Sequence, residues 1–233
     1  MSQAVATSGH PAFISYPKQA TFGRPLPKNK IYEHSGATAK VRELFVRQVE
    51  QIIWQYKLAP ETINLPAKPG VPEIQVFAIQ LKTADLNLDV LRCIDGAVQF
   101  PIIFELGFDG RTQVVAAYKR PSESDTSRWV LSDYFATEWL PSDIQRTAMP
   151  LALDLGSLYE QVLQRLIHLP ARQQEALADL VSRVEQVTAK QREVEKAAGK
   201  LAKEKQFNRK VEINTNLRQL KNELEQLIGK GLT

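Results

Sequence analysis

Cysteine is almost missing from this chain: Cys93, in LRCIDG, is the single one among 233 residues. One thiol cannot close an internal disulfide or build a cysteine zinc site, so a buried, inert helix residue is expected there. Histidine is nearly as scarce. His10 and His34 lie near the N-terminal end and His168 closes a helical pattern, whereas a histidine-centred metal or acid–base site needs several ligands that converge. Walker, GxSxG, HExxH and CxxC signatures are all absent, which removes the commonest sequence-legible forms of phosphate-loop, serine-hydrolase, zinc-protease and redox chemistry. Long apolar runs are missing too, and none approaches the ~18 residues that span a membrane. The opening MSQAVATSGHPAF has no basic stretch followed by an apolar one, so it is not a secretory signal. A cytoplasmic location is therefore expected. Excess charge of one sign is also lacking: 30 Lys and Arg face 26 Asp and Glu, for a net charge of +4 and a pI near 9.1. A dedicated duplex-DNA binder carries a denser basic stripe, so this balance permits nucleic-acid contact without requiring it.

Hydrophobic residues make up 43% of the chain and charged residues 24%, ordinary values for a protein with a real core. The length allows one domain with an appendage, or two small domains. Residues 1–34 are rich in Pro, Gly and Lys. The prolines oppose a regular helix, and an extended arm is expected, anchored by Phe22, Leu26, Ile31 and Tyr32. Over residues 35–57, Val41, Leu44, Phe45, Val49, Ile52, Ile53 and Tyr56 recur at helical spacing, with Ser35 or Thr38 as cap and Pro60 as stop. Thr62–Leu65 reads as a short strand, and Pro66, Pro69, Gly70 and Pro72 as a loop. Glu73–Lys82 reads as a long strand, apolar on both faces and hence central. Residues 85–98 fit a helix capped by Asp85. PIIFELGF and RTQVVAAYKR, joined by Asp109-Gly110, form a hairpin, and Arg128–Thr137 a further strand. The order specifies an α/β sandwich of the α+β or α/β class around one small mixed sheet, over residues 35–150.

From about residue 151 the composition turns helical. GSLYEQVLQRLIHL is an amphipathic helix ended by Pro170, after which no proline occurs. Leu177, Leu180, Val184, Val187, Val194, Ala198 and Leu201 follow the spacing of a coiled-coil seam with Gln191 as a polar interruption, and Ile213, Leu217, Leu220, Leu224 and Leu227 follow a second. The two seams are out of register across KEKQFNRKVE, so the tail is either one helix with a phase break or a helical hairpin. A single helix of ~50 residues would run ~75 Å and could not bury its seam on so small a domain. The seam residues, and Phe207 standing alone among charges, are accordingly the candidate partner-binding surface, toward a second copy or another protein.

One tripeptide carries catalytic meaning. Nucleases of the PD-(D/E)xK type hold Mg²⁺ on strand carboxylates, and a neighbouring lysine stabilises charge that develops on the phosphate. Gln80-Leu81-Lys82 matches QxK at a strand end, Glu61 and Glu73 lie upstream, and a helix follows; the element order also resembles that of the nuclease core. Against it, the PD half is reduced to Pro60-Glu61-Thr62, and a lysine at a strand end commonly just reaches solvent. Lys203, Lys205, Arg209 and Lys210 are candidates for phosphate contact. Glu204 and Glu212 dilute them, and alternating signs usually mean exposed i,i+4 pairing.

The runs LPKNKIYEH, IIWQYKLAPETINL, EIQVFAIQLK, IDGAVQFPIIFEL and KEKQFNRKVEINTNLRQLKNEL together resemble the bacterial domain-of-unknown-function family 4391, from about Leu26 to Leu227. The resemblance implies a setting beside helicases and DNA methyltransferases in restriction-like, anti-phage loci. The family's strand motif carries Glu where this chain has Ala78 and Gln80, which implies a less acidic site here. The leading expectation is a non-catalytic accessory subunit, without cofactor, docking a helicase or methyltransferase partner. The alternatives are a Mg²⁺-dependent nuclease centred on Lys82 and a sequence-independent nucleic-acid clamp built on the tail.

Overall fold

A computed structural model describes residues 10–122, 124–125 and 128–229. The chain divides into two compact units, residues 1–168 and 169–233. In the first, β1 (Ile14–Ser15) leads through a short 3-10 turn to β2 (Thr21–Pro25), α1 (Lys28–Ser35), α2 (Ala39–Gln48), β3 (Val49–Leu58) and α3 (Pro60–Ile63). Then follow β4 (Ile74–Leu81), α4 (Leu88–Ala97), β5 (Ile102–Phe108), β6 (Arg111–Pro121), β7 (Trp129–Ala136), β8 (Leu140–Pro141), β9 (Thr147–Ala148) and α5 (Leu155–Leu166). The second unit holds α6 (Leu177–Lys203) and α7 (Phe207–Ile228). None of the helices among the described residues is long and apolar enough to cross a membrane.

The main sheet runs β2-β3-β4-β5-β6-β7, with β8 beside β6. Only β4 and β5 pair in parallel, and α4 connects them; every other pairing in that sheet is antiparallel. A parallel pair needs such a crossover, whereas β5 and β6 are joined by Asp109 and Gly110 alone. Both have positive φ, 46° and 69°, the requirement of the tightest hairpin turn. The small mixed sheet and its central strand β4 are as expected. A separate parallel pair joins β1 to β9.

Period-two alternation divides the sheet into two faces. Phe77, Ile79 and Leu81 of β4 join Phe104 and Leu106 of β5, Val115 of β6, Ile52 of β3, and Val90, Leu91 and Ile94 of α4 in one buried cluster. The other face carries Ile74, Val76, Ile103, Val114 and Ala116, also buried. There α5 lies against β6 and β7: Tyr159 stacks on Tyr118, with ring centres 6.4 Å apart, and its hydroxyl donates to the carbonyl of Ala117 at 2.6 Å.

Several local expectations are corrected. The helix read over 35–57 stops at Gln48, and Val49–Leu58 is a strand ten residues long. Its β-branched and aromatic residues suit a pleated surface, and its apolar residues fall on both faces, which satisfies a helical template as well. Of the two caps expected for the helix, Thr38 is the one that forms, accepting from the Val41 amide at 3.4 Å. Thr62–Leu65 is not a strand: residues 60–63 form one helical turn, with Pro60 at its first position, where proline suits a helix. Asn87 rather than Asp85 caps α4. The arm is extended only in part, since Thr21–Pro25 joins the main sheet and Lys28–Ser35 is helical; the prolines precede that helix instead of interrupting it. Its expected anchors do engage. Phe22 meets Trp54 with ring centres 4.1 Å apart, Tyr32 meets Phe45 edge-on at 5.3 Å, Ile31 is buried, and Leu26 packs on the core. Residues 1–9 of the arm lie outside the described residues. Finally, α5 belongs to the first unit, and the second begins at Leu169.

Candidate functional site

The residues proposed for metal-dependent cleavage fall into two separate groups. Glu61, in α3, and Glu73, just before β4, both bind the Lys57 ammonium, at 2.6 and 3.4 Å. Gln80 and Lys82 stand at the other end of β4, seven and nine residues on from Glu73, or about 23 and 30 Å along a strand. Lys82 donates to the carbonyl of Val46 at 2.9 Å. Lys28 reaches the neighbouring carbonyls of Phe45 at 3.1 Å and Val49 at 2.5 Å. Two ammoniums thus gather at the C-terminus of α2, where the final carbonyls lack helical partners and the helix dipole favours cations. Lys82 thus donates to the last turn of a helix. Burial, and after it the Lys82 charge, holds the Lys28 amine below the ordinary lysine range.

Gln80 lies instead in a groove on the face of the sheet that α5 covers in part. The register places Gln51 beside Gln80, Ile53 beside Ala78, Ala78 beside Glu105, Gln80 beside Gly107 and Gly107 beside Thr112. These residues form the floor of a cavity of about 410 Å³ that Arg111 and Ser142 also line. Gly107 makes room for the Gln80 amide: a Cβ at residue 107 would stand 2.8 Å from its Oε1. Glu105 supplies the one carboxylate among the described lining residues, and Arg146 takes both its oxygens at 2.7 Å. Arg146 further donates to the carbonyl of Ile14 at 2.9 Å, which ties β1 to the sheet. The hydrogen bonds to Glu105 raise the guanidinium pKa. The floor of the groove is therefore amide and methyl, with its single acid neutralised from within the chain.

The opposite face holds a buried polar cluster. Lys119 donates to the Asp95 carbonyl at 2.6 Å and to the Val98 carbonyl, and stands 3.5 Å from the Asp95 carboxylate. Tyr134 donates to the other carboxylate oxygen at 2.5 Å. Burial outweighs these partners and pushes the Asp95 carboxyl up to about 6. Burial also lowers the Lys119 amine, against the pull of Asp95. Every buried side-chain polar atom among the described residues has a hydrogen-bond partner, so this cluster locks α4 to β6 and β7.

In the second unit α6 and α7 pack on each other as a helical hairpin, turning at residues 204–206, with Ala197 buried where the seam had placed Ala198, which is exposed. Leu177, Leu180, Val187 and Leu217 are buried, whereas Val184, Leu220 and Leu224 remain half-buried. Lys190 bridges the helices to Glu223 at 2.8 Å. At the open end, Arg183 grips Glu175 through two 2.7 Å hydrogen bonds and donates to the carbonyls of Leu227 and Pro170. Arg172 donates to the carbonyls of Gln226 and Leu227. The last carbonyls of α7 are thus satisfied by arginines from the segment before α6 and from α6 itself. At the closed end, Phe207 is 77% exposed; it does not fold back onto α6.

The pairs that carry these sites, Glu105 with Arg146 and Asp95 with Lys119 and Tyr134, were not read from the sequence. A visible signal existed, since Glu105 stands alone in the apolar run PIIFELGF and Lys119 follows VVAAY. The chain belongs to the family described as a domain of unknown function, DUF4391, whose model matches residues 14–224. No curated protein and no solved structure gives a match.

Proposed function

We propose that this chain is a non-catalytic accessory subunit whose helical hairpin docks a larger partner, a helicase or DNA methyltransferase of a bacterial anti-phage complex. The observation that carries the reading is the incompletely closed seam of the α6–α7 hairpin. Two helices bury only part of their apolar stripes against each other. Val184, Leu220 and Leu224 stay half-buried in a stripe with coiled-coil spacing, and an added helix would finish their burial at about 25 cal/mol per Å². The arginine clamp at the open end of the hairpin supports the same reading, because it preorganises the helices before any partner arrives, which lowers the entropic cost of association. The dispersal of Glu61, Glu73, Gln80 and Lys82 to the two ends of β4 favours the adaptor over the nuclease alternative.

The test is copurification of the tagged chain with coexpressed products of its neighbouring genes, comparing wild type with Leu220→Asp/Leu224→Asp. The proposal expects the partner to be lost while the circular dichroism of the variant keeps its helical content. Unchanged copurification would contradict it.

A further inference from the structure

The closed end of the hairpin carries an exposed aromatic ring and a set of cations that form no ion pair among the described residues. Between Lys196 and Glu212 there are six cations, Lys196, Lys200, Lys203, Lys205, Arg209 and Lys210, against two acids. All six are exposed. The i,i+4 pairing that alternating signs suggest is not formed: among the described residues none of the six enters an ion pair, although Lys190, further along the same helix, pairs with both Glu193 and Glu223. Of the two acids, Glu204 is committed to the turn. Its carboxylate accepts from the backbone amides of Lys205 at 2.8 Å and Gln206 at 2.9 Å, which hold its pKa below the usual range.

Lys196, Lys200 and Lys203 fall at i, i+4 and i+7 on α6, one stripe about 10 Å long. On α7, Phe207, Lys210 and Val211 share a face at i, i+3 and i+4; Phe207 is 77% and Val211 50% exposed. A phenyl ring left in water at the turn of a hairpin, with exposed cations on both helices that meet there, has the two parts of a single-strand platform. The cations follow phosphates, and the ring offers a π-face to an unpaired base. A duplex presents its phosphates but keeps its bases stacked inside, so it could use only the first part.

We propose that the tip of the α6–α7 hairpin, centred on Phe207 and its six unpaired cations, binds single-stranded nucleic acid without sequence preference. This stands apart from the docking role, which uses the seam toward the open end, and it is tested on the full chain alone. Anisotropy of a fluorescein-labelled dT20 is titrated from low salt upward, with a 20-base-pair duplex and phosphatidylserine-containing vesicles as parallel probes.

Wild type should bind dT20 more tightly than the duplex. About four phosphate contacts would give a log–log salt slope near −3. Phe207→Ala should weaken dT20 binding about 5-fold or more, the lower range for one base–aromatic stack, and leave duplex binding within about 2-fold. Phe207→Tyr should restore it. Replacing Lys203, Lys205, Arg209 and Lys210 together by Ala should flatten the salt slope. All these residues are exposed, so helical content should not change. The proposal is overturned by no binding to dT20 at ~50 mM salt, by equal affinity of wild type and Phe207→Ala, by preference for the duplex, or by binding to the vesicles in place of dT20.

Discussion

Arg146 holds Glu105 through two parallel 2.7 Å hydrogen bonds across 41 residues of sequence, and with them it neutralises the one carboxylate among the described residues that line the groove on the sheet. Glu105 is 9% exposed and the arginine side chain 39%, so the pair is half-open to water on one partner only. Removing one member of a fully buried pair costs about 3–5 kcal/mol. With Arg146 partly solvated, Arg146→Ala should cost about 2–3 kcal/mol in urea denaturation. Because the penalty lies mainly in the stranded carboxylate, Glu105→Leu/Arg146→Leu should recover much of it. A double variant no more stable than Arg146→Ala would show that the stranded carboxylate is not the source of the loss.

The two units should answer acid with opposite signs. Asp95 has a folded pKa near 6 against an ordinary 3.8. The folded state therefore binds the extra proton, and this group's contribution to stability is present below about pH 4 and lost as pH rises to about 6. Glu175 is held down to about 2, chiefly by its hydrogen bonds from Arg183, against an ordinary 4.5. Its contribution is present above about pH 4.5 and lost as pH falls toward 2, at most about 3 kcal/mol. Hydrogen exchange followed by mass spectrometry resolves the two. From pH 6 to pH 4, corrected for intrinsic rates, protection should rise in α4 and β6 relative to α6 and α7. Asp95→Asn should remove the rise in the first unit, and Glu175→Gln the acid sensitivity of the hairpin.

Lys82→Ala should behave as the loss of a helix cap. Its ammonium meets the Val46 carbonyl at the end of α2, with Lys28 beside it to take over part of the task. The expected cost is below about 1 kcal/mol. Any cleavage of DNA or RNA seen with Mg²⁺ or Mn²⁺ should be the same for variant and wild type. Metal-dependent cleavage that disappears in Lys82→Ala would restore the lysine to a catalytic role.

What the sequence disclosed followed from local chemistry. Asp109-Gly110 announced its turn because only certain residues accept positive φ, and Phe77, Ile79 and Leu81 announced a covered strand by alternation. The helices α6 and α7 announced themselves by their seams; their break in register was compatible with one interrupted helix or with a hairpin, and the turn at residues 204–206 decides for the hairpin. Val49–Leu58 was misread because Ile52, Ile53 and Tyr56 satisfy helical spacing and strand alternation alike, and its pairing with β2 and β4 decided between them. The groove was out of reach for another reason. Gln51, Gln80 and Glu105 become neighbours only through strand order, and Arg146 meets Glu105 from a segment between β8 and β9. The bond from Lys82 to Val46 was out of reach for a similar reason, because a lysine at a strand end looks the same in sequence whether it faces a phosphate or the C-terminus of a helix.

The central claim is that the hairpin, and not the sheet domain, docks the partner. The direct measurement is copurification of the chain truncated after His168, the boundary between the two units, with coexpressed products of the neighbouring genes. The first unit should stay folded, with its α4–β6 protection intact, and should lose the partner that the full chain retains. Retention of that partner by the truncated chain would contradict the account.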